Sequence, residues 1–481
     1  MLRSLLLLLL ITGTIVLQAA CLPNNLTPQE KAYIQNHFDE YLATKHVDTR
    51  ALRAPANIAS APSEFDPADA VCFGWEGYTS LLKDLIKYAA ADGKVIVSSD
   101  SSSLSSAKSA LTSYGVNMAN VEFFTCNLDS VWMRDYGPWW IYTQDGNREV
   151  IDLDYNRPRP NDDQFPTKLA AYLKLKSHLC PLITAGGNLI LDGHGVAIMT
   201  DVVFDAGEGC DPNLTREQLS KYMKDYFGVK KVIVLKKMVE DGTGHVDMFC
   251  KLLTDDTFIV GQYNPASDGA TGNAAVLDEN AKTLASETNG LGNPFKVVRI
   301  PMPNVHDGGY GTTSYSYTNS LIFNKKVLVP IYGKAQDQAA LDVYKKILPG
   351  YDVKGFDCND IITANGAIHC ITKLVAKAPV TLRHDAVRDS RAGEETQIRV
   401  SIDSINPLNQ DGVCAYWSTS PEGVFKQIKL TGGSGTFEGV IPAQQSGISI
   451  YYYLEAEDST GIYKTLPSSA PENGTYSYNV N

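Results

Sequence analysis

Between about residues 70 and 376, short β-branched runs alternate with stretches whose apolar positions recur at helical spacing. Val95-Ile96-Val97, Val232-Ile233-Val234 and Phe258-Ile259-Val260 are continuous apolar runs, the pattern of strands buried on both faces. Amphipathic helices are expected at 79–91, 104–114, 168–176, 215–227, 274–288 and 338–348. Thr215 and Gln218 form a capping-box start for one of them. The alternation predicts five or so strand–helix units of an α/β fold, without a sequence repeat shared between them.

The flanks read differently. Residues 28–44 form a polar helical segment, and 48–67 is a Pro/Ala/Ser-rich approach without periodicity, so 22–69 stands as an N-terminal segment. Beyond Ala376 helical spacing disappears. Residues 396–402, 413–418 and 448–456 read as strands, separated by turn-rich stretches at 409–412 and 431–435. About 100 residues of this texture, 380–481, predict an all-β sandwich of immunoglobulin-like type.

Composition narrows the function. A length of 481 residues exceeds one ordinary core, and 44% apolar with 20% charged residues is that of a folded chain. The net charge of −12, without any Lys/Arg run, argues against nucleic acid and suits a cationic substrate. Arg3, the apolar stretch from Leu5 to Ile11 and the small residues Ala19-Ala20 predict a signal peptide over 1–21, hence a secreted or cell-envelope protein. Cys21 follows directly, which leaves a lipid anchor open, although Gln18 stands where such sites usually carry Leu. The apolar run is interrupted at Thr12-Gly13-Thr14 and falls short of the ~20 apolar residues of a membrane span, and no other segment is long and apolar enough. Nine cysteines lack any C-x-x-C pair, so no zinc site is expected and disulfide pairing stays open.

Three polar clusters fall at strand ends: Trp132-Met133-Arg134-Asp135, Gly242-Thr243-Gly244-His245-Val246-Asp247, and Asn365-Gly366-Ala367-Ile368-His369-Cys370. Singly, each has an ordinary explanation: a surface ion pair, a solvated strand face, a buried structural thiol. Together they supply one Cys, one His and two Asp. A guanidinium is planar and charged, and presents N–H donors in a fixed fork that carboxylates accept bidentately. Two Asp can therefore hold its terminal nitrogens, and a thiolate can attack the carbon between them. A protonated His nearby favours the thiolate, then gives a proton to departing ammonia and activates water. This chemistry asks for neither metal nor cofactor.

These motifs resemble those of the Porphyromonas-type peptidylarginine deiminase and agmatine deiminase family, within the guanidine-group-modifying superfamily. The resemblance extends over most of residues 70–376. It implies a five-bladed α/β-propeller (pentein) with the site in a central funnel. It also implies Cys370 as nucleophile, His245 as acid and base, and Asp135 and Asp247 as guanidinium carboxylates. Trp132 falls where an aromatic packs along the substrate stem, and Gly186-Gly187-Asn188 fits the family pattern as a structural turn.

The substrate is argued from Tyr155-Asn156-Arg157-Pro158-Arg159. Alternating arginines in an extended loop point to one side, so Arg157 and Arg159 could clamp one carboxylate. This resembles the peptidylarginine enzymes, as does Asn319, a candidate substrate contact. The expected activity is therefore citrullination of a peptidyl-arginine, C-terminal by preference. Agmatine is the alternative substrate, since Gly242-Thr243-Gly244 and Asn365-Gly366-Ala367 look more like agmatine deiminases. A non-catalytic secreted binding protein is the reading from another class. No calcium loop is recognisable.

Overall fold

The computed structural model describes residues 22–45, 52–239, 241–264, 272–303, 313–468, 470–472 and 474–481. The expected signal segment and Cys21 lie outside them. Two compact units emerge: one takes the residues up to 55, 60–141 and 149–376, the other 56–59, 142–148 and 377–481. The segment expected to stand apart, 22–69, therefore divides, most of it clustering with the first unit.

The helices form where spacing predicts, with shifts at the ends. Expected 104–114 becomes Ser101–Ser113, because the Asp100 side chain accepts from the N–H groups of Ser102 and Ser103 and starts the helix a turn early. Expected 168–176 becomes Phe165–Tyr172, with a proline in its first turn. Arg216–Phe227 opens on the predicted Thr215/Gln218 capping box and stops at left-handed Gly228. The polar segment at 28–44 is two helices, Pro28–Asn36 and Phe38–Lys45, the first capped by Thr27 and Glu30.

Among the described residues, five sheets build the first unit. Thr372–Ala376 pairs antiparallel with Ala68–Gly74, which continues in parallel to Lys94–Ser99 and Val121–Thr125. The second sheet runs through Trp139–Thr143, Arg148–Tyr155 and Ser177–Thr184. The third comprises Ile190–Leu191, Val196–Thr200 and Lys231–Leu235. Cys250–Leu252, Thr257–Gln262 and Lys296–Pro301 make the fourth. Leu321–Phe323, Lys326–Ile331 and Asp352–Asp357 make the fifth. In the last three, an antiparallel pair is followed by a parallel strand, and a helix makes the crossover. Central strands such as Val196–Thr200 are buried at every position, which explains their unbroken apolar runs. The last strand of the unit completes the sheet of the first, so the chain end that follows Cys370 is tied beside its beginning.

The second unit contains two further sheets. One orders Val380–Arg383, Thr396–Ser404, Thr436–Ile441 and Thr431–Gly433. The other centres on Leu408–Ser418 and Ser449–Asp458. Alternating burial along Thr396–Ser404 marks one face turned inward. Residues 409–412, expected as a turn, are instead taken into the strand Leu408–Ser418 by a register shift between Leu408 and Val413. Among the described residues no helix is long and apolar enough to cross a membrane.

Candidate active site

The polar clusters occupy one topological position. Asp135 lies in the short helix Met133–Tyr136, between the last strand of the first sheet and the first long strand of the second. Gly186–Asn188, Val246–Met248, residues 314–320 and His369-Cys370 hold the same place after the second, third, fourth and fifth sheets. Each is a link from the last strand of one sheet to the first strand of the next. Bonds among them show that the links meet. Gly187 N–H donates to Asp135 Oδ1 (3.1 Å), and Thr318 Oγ1 to the Asp247 carbonyl (3.0 Å). His369 N–H donates to the Asn319 carbonyl and Arg134 N–H to that of Cys370, each at 3.0 Å.

Cys370, His245, Asp135 and Asp247 are brought together and are at most 3% exposed. Cys370 Sγ lies 3.8 Å from Asp247 Oδ2, and His245 Nδ1 lies 3.5 Å from Asp135 Oδ1. His245 and Asp247 do not share a strand face, as their spacing suggested. They straddle the start of a 3₁₀ turn, Val246–Met248, which aims both inward. Asn188 holds that turn in place: its Oδ1 accepts from Thr200 N–H (2.9 Å) and Val246 N–H (3.3 Å). Three polar atoms are buried without a hydrogen-bond partner here: Asp135 Oδ2, Asp247 Oδ1 and His245 Nδ1. Two unpartnered carboxylate oxygens beside a thiol and an imidazole match the N–H fork of a guanidinium, which would satisfy both.

Electrostatics follow from burial. Desolvation pushes the Asp135 carboxyl up to about 6, against the pull of Arg157, the Gly187 N–H and Arg134. Burial, and then the Asp135 charge, drives Asp247 well above the usual carboxylate range, with Arg134 opposing. Burial together with the Asp247 and Asp135 charges holds the Cys370 thiol well up, so it is protonated while the site is empty. Burial and the Arg157 charge depress His245, leaving a neutral imidazole. The protonated His expected to favour the thiolate is therefore not what this site provides at rest. A bound cation would do so, by cancelling both carboxylates. Because a protonated Asp135 no longer pairs with a guanidinium, kcat/KM should fall as pH drops through about 6. A pH–rate profile that stays flat well below that value would contradict this.

Gly187 is required for close approach. A Cβ there would stand 2.6 Å from His245 Nδ1 and 2.7 Å from Asp135 Oδ1. The turn expected to be structural thus forms part of the site wall. Gly187→Ala should lower kcat/KM by about 10²-fold through misplacement of these groups, with the melting temperature measured alongside as a control for folding.

The remaining predicted residues sit differently from expectation. Asn319, expected against substrate, bonds the cysteine. Its Nδ2 donates to Cys370 Sγ (3.1 Å), and its Oδ1 accepts from the N–H groups of Ala367 (3.0 Å) and Cys370 (3.2 Å). Trp132 is fully buried, its ring against Gly366, and its Nε1–H donates to the Leu22 carbonyl (2.8 Å). Arg157 and Arg159 are also buried, and much of each fork is engaged within the chain. Arg157 donates to the carbonyls of Asn24 (3.3 Å) and Glu208 (2.8 Å), with the Glu208 carboxylate 3.8 Å away. Arg159 grips the Glu30 carboxylate at 2.8 and 3.1 Å and donates to the Pro23 carbonyl (3.0 Å). Arg157 Nη2 and Arg159 Nη1 keep no partner.

Behind these groups lies a buried cluster of charge that composition and spacing do not reveal. Glu64, from the aperiodic approach, accepts from Arg134, from Lys251 Nζ (3.0 Å) and from His369 Nε2 (2.7 Å). Nothing in the Pro-rich stretch around Glu64 marks it, since its partners lie far away in sequence. The eight described cysteines are all buried and unpaired. Among the described residues, no group of three or more His, Cys, Asp or Glu has the arrangement of a metal site.

Comparison with known proteins agrees with this geometry. The profile of the Porphyromonas-type peptidyl-arginine deiminase family matches residues 62–375. A Photobacterium profundum protein named for agmatine deiminase is 24% identical over 357 residues, 66% of this chain and 95% of its own length. A Streptomyces avermitilis protein with the same name is 28% identical over 262 residues, 51% of this chain and 75% of its own. Among solved structures, the agmatine deiminase of Enterococcus faecalis superposes with a TM-score of 0.60 at 20% identity, covering 68% of this chain and 100% of that one. An arginine deiminase structure from Porphyromonas gingivalis gives 0.59 at 21% identity, over 66% and 98%.

Proposed function

We propose that this chain, which belongs to the Porphyromonas-type peptidyl-arginine deiminase family and is a hydrolase of amidine C–N bonds, deiminates a small guanidino amine of the agmatine type. The observation carrying this choice is the state of the arginine pair. Glu30 is bound to Arg159 and Glu208 lies beside Arg157, so each cation already faces an anion of the same chain. Burial raises the Glu30 carboxyl, but the Arg159 contacts outweigh it and the net shift is downward, so the pair stays ionised. A neutralised pair has little attraction for a substrate carboxylate and little repulsion for a primary amine. The names of the curated relatives favour the same substrate.

In the reaction, the guanidinium lies between Asp135 and Asp247. The Cys370 proton passes to neutral His245, and Sγ adds to the guanidinium carbon. His245 returns the proton to one terminal nitrogen, the C–N bond breaks, and ammonia leaves a thiouronium on Cys370. His245 then takes a proton from water and the hydroxide adds to the same carbon. The hydroxyl proton goes to Sγ as the C–S bond breaks, giving the ureido product and the free cysteine, and His245 returns to neutral by passing its proton to the ammonia, which leaves as ammonium.

A second reading has its own support. Arg157 Nη2 and Arg159 Nη1 are buried and unpartnered, as a C-terminal carboxylate would require, so a peptide ending in arginine stays the alternative. Ammonia release from agmatine, from an arginine-terminated peptide and from its amide separates the two. Agmatine turned over best, with amidation indifferent, supports the first; a severe loss on amidation, with agmatine inert, overturns it. Glu30→Gln, which keeps the capping box, should raise the rate ratio of the carboxylate-bearing peptide over agmatine, because it frees the Arg159 fork. An unchanged ratio would contradict a role for Glu30 in specificity.

We read the five sheets as the blades of one propeller whose five inter-sheet links form the site, and the second unit as an immunoglobulin-like sandwich. Export through the segment at 1–21 completes the proposal, and the N-terminal sequence of the mature chain tests it.

A further inference from the structure

His369 precedes the nucleophile and takes no part in the steps above, yet it is only 1% exposed and contacts carboxylates at both ring nitrogens. Nδ1 lies 2.6 Å from Asp247 Oδ2, and Nε2 lies 2.7 and 2.9 Å from the two oxygens of Glu64. The backbone fixes the ring from both sides: its N–H donates to the Asn319 carbonyl, and its carbonyl accepts from Thr372 N–H (3.1 Å) and Arg134 Nε (3.3 Å).

Two short contacts to carboxylates require two protons. A neutral imidazole carries one N–H, so its other nitrogen would face a carboxylate lone pair unless that carboxyl is protonated. The row Asp247–His369–Glu64 therefore holds two protons in two hydrogen bonds, with two arrangements of the inner one. Either Asp247 is a neutral acid donating to Nδ1, or Asp247 is ionised and His369 is an imidazolium between two anions. Glu64 is the fixed anion of the row. Burial alone would raise it, but Arg134, His369 and Lys251 together hold it well below the usual range.

We propose that His369 is a positioning residue that takes the proton of Asp247 when a guanidinium arrives, so that Asp247 becomes a carboxylate without releasing a proton from the closed site. The inference rests on the guanidinium reading above. The step balances: one proton moves from Asp247 Oδ2 to His369 Nδ1 along an existing hydrogen bond, and Nε2–H goes on donating to Glu64. It also accounts for Asp247's two oxygens. Oδ2 is committed to the relay and to Cys370 Sγ, and the unpartnered Oδ1 is the one left for substrate.

The surrounding charges set the direction. With the site empty, Asp135 beside Asp247 favours the neutral acid, and Arg134 and Lys251 oppose a charge on the imidazole. Lys373, buried with its Nζ 3.5 Å from the centre of the Trp139 ring, faces the same groups, and burial and then the Arg134 charge push its ammonium well below the ordinary lysine range. A cation bound between Asp135 and Asp247 reverses the balance on Asp247, and Glu64 is in place to hold the imidazolium.

Binding calorimetry tests this in Cys370→Ala, where agmatine or an arginine-terminated peptide binds without turnover. Titration in two buffers of different ionisation enthalpy gives the protons released. The parent should release none from this row in the neutral range. Adding His369→Asn removes the acceptor and should produce release approaching one proton per agmatine bound, with affinity falling about tenfold for each unit the pH is lowered. Glu64→Gln, which leaves the imidazole in place but removes the anion supporting its charge, should also release protons, to a smaller extent. In turnover, His369→Asn should raise KM on the acid side more than it lowers kcat. Zero release in both variants, or a full proton already released by the parent, overturns the relay. If the parent binds neither ligand, the guanidinium reading itself fails and the relay with it.

Discussion

Cys370→Ala should abolish ammonia release from every guanidine the protein accepts, by about 10⁶-fold, the scale on which covalent mechanisms collapse when their nucleophile is removed. The expectation follows from surroundings that serve no packing purpose. A structural thiol sits among apolar neighbours, whereas Cys370 receives an amide N–H from Asn319 and lies 3.8 Å from a carboxylate. Burial first, and then the carboxylate charges beside it, hold the thiol protonated, so reactivity depends on substrate. Alkylation of Cys370 should accordingly be slow in the free protein. Should Cys370→Ala retain more than about a hundredth of the parent rate, the chemistry proceeds by another route.

Asp247→Asn and Asp135→Asn should each cost about 10²–10⁴-fold in kcat/KM, the equivalent of the roughly 3–5 kcal/mol lost when one partner of a buried ion pair is removed. Both groups are fully buried, and each offers one unpartnered oxygen to the site. Asparagine keeps the shape but replaces one oxygen by an amino group, which presents donors to a guanidinium that is itself all donors. Steady-state kinetics should show KM rising as well as kcat falling, since the carboxylates bind the guanidinium in the ground state and also hold its carbon in line for Cys370 in the reacting complex. A change confined to kcat, with unaltered binding, would mean that the guanidinium lies elsewhere.

Much of this was legible in the sequence wherever the signal was local. The β-branched runs around Val95, Val232 and Phe258 became strands, and the Thr215/Gln218 capping box opened its helix. Cys370, His245, Asp135 and Asp247 were recognisable because each sits among small or polar residues at a strand end, where a bare core would have apolar side chains. Long-range pairing was not legible. That Glu64 reaches Arg134, Lys251 and His369, or that residues 22–30 reach Arg157 and Arg159, depends on closing the chain into five sheets. Alternation in an extended loop suggests that the two arginines point to one side, but periodicity cannot report what a fork is bonded to: Arg157 meets Glu208 and Arg159 meets Glu30. The role of Gly187 is not legible from sequence, because a glycine pair at a turn looks the same whether it relieves strain or makes room for His245.

The central claim is that Cys370 becomes covalently bonded to the guanidinium carbon, and the most direct measurement is peptide mapping by mass spectrometry of protein acid-quenched during turnover of agmatine. A peptide containing Cys370 should be heavier by the substrate less one ammonia, a species absent without substrate and absent from Cys370→Ala. Sustained ammonia release with Cys370 unmodified at every quench time, and undiminished in Cys370→Ala, would contradict it.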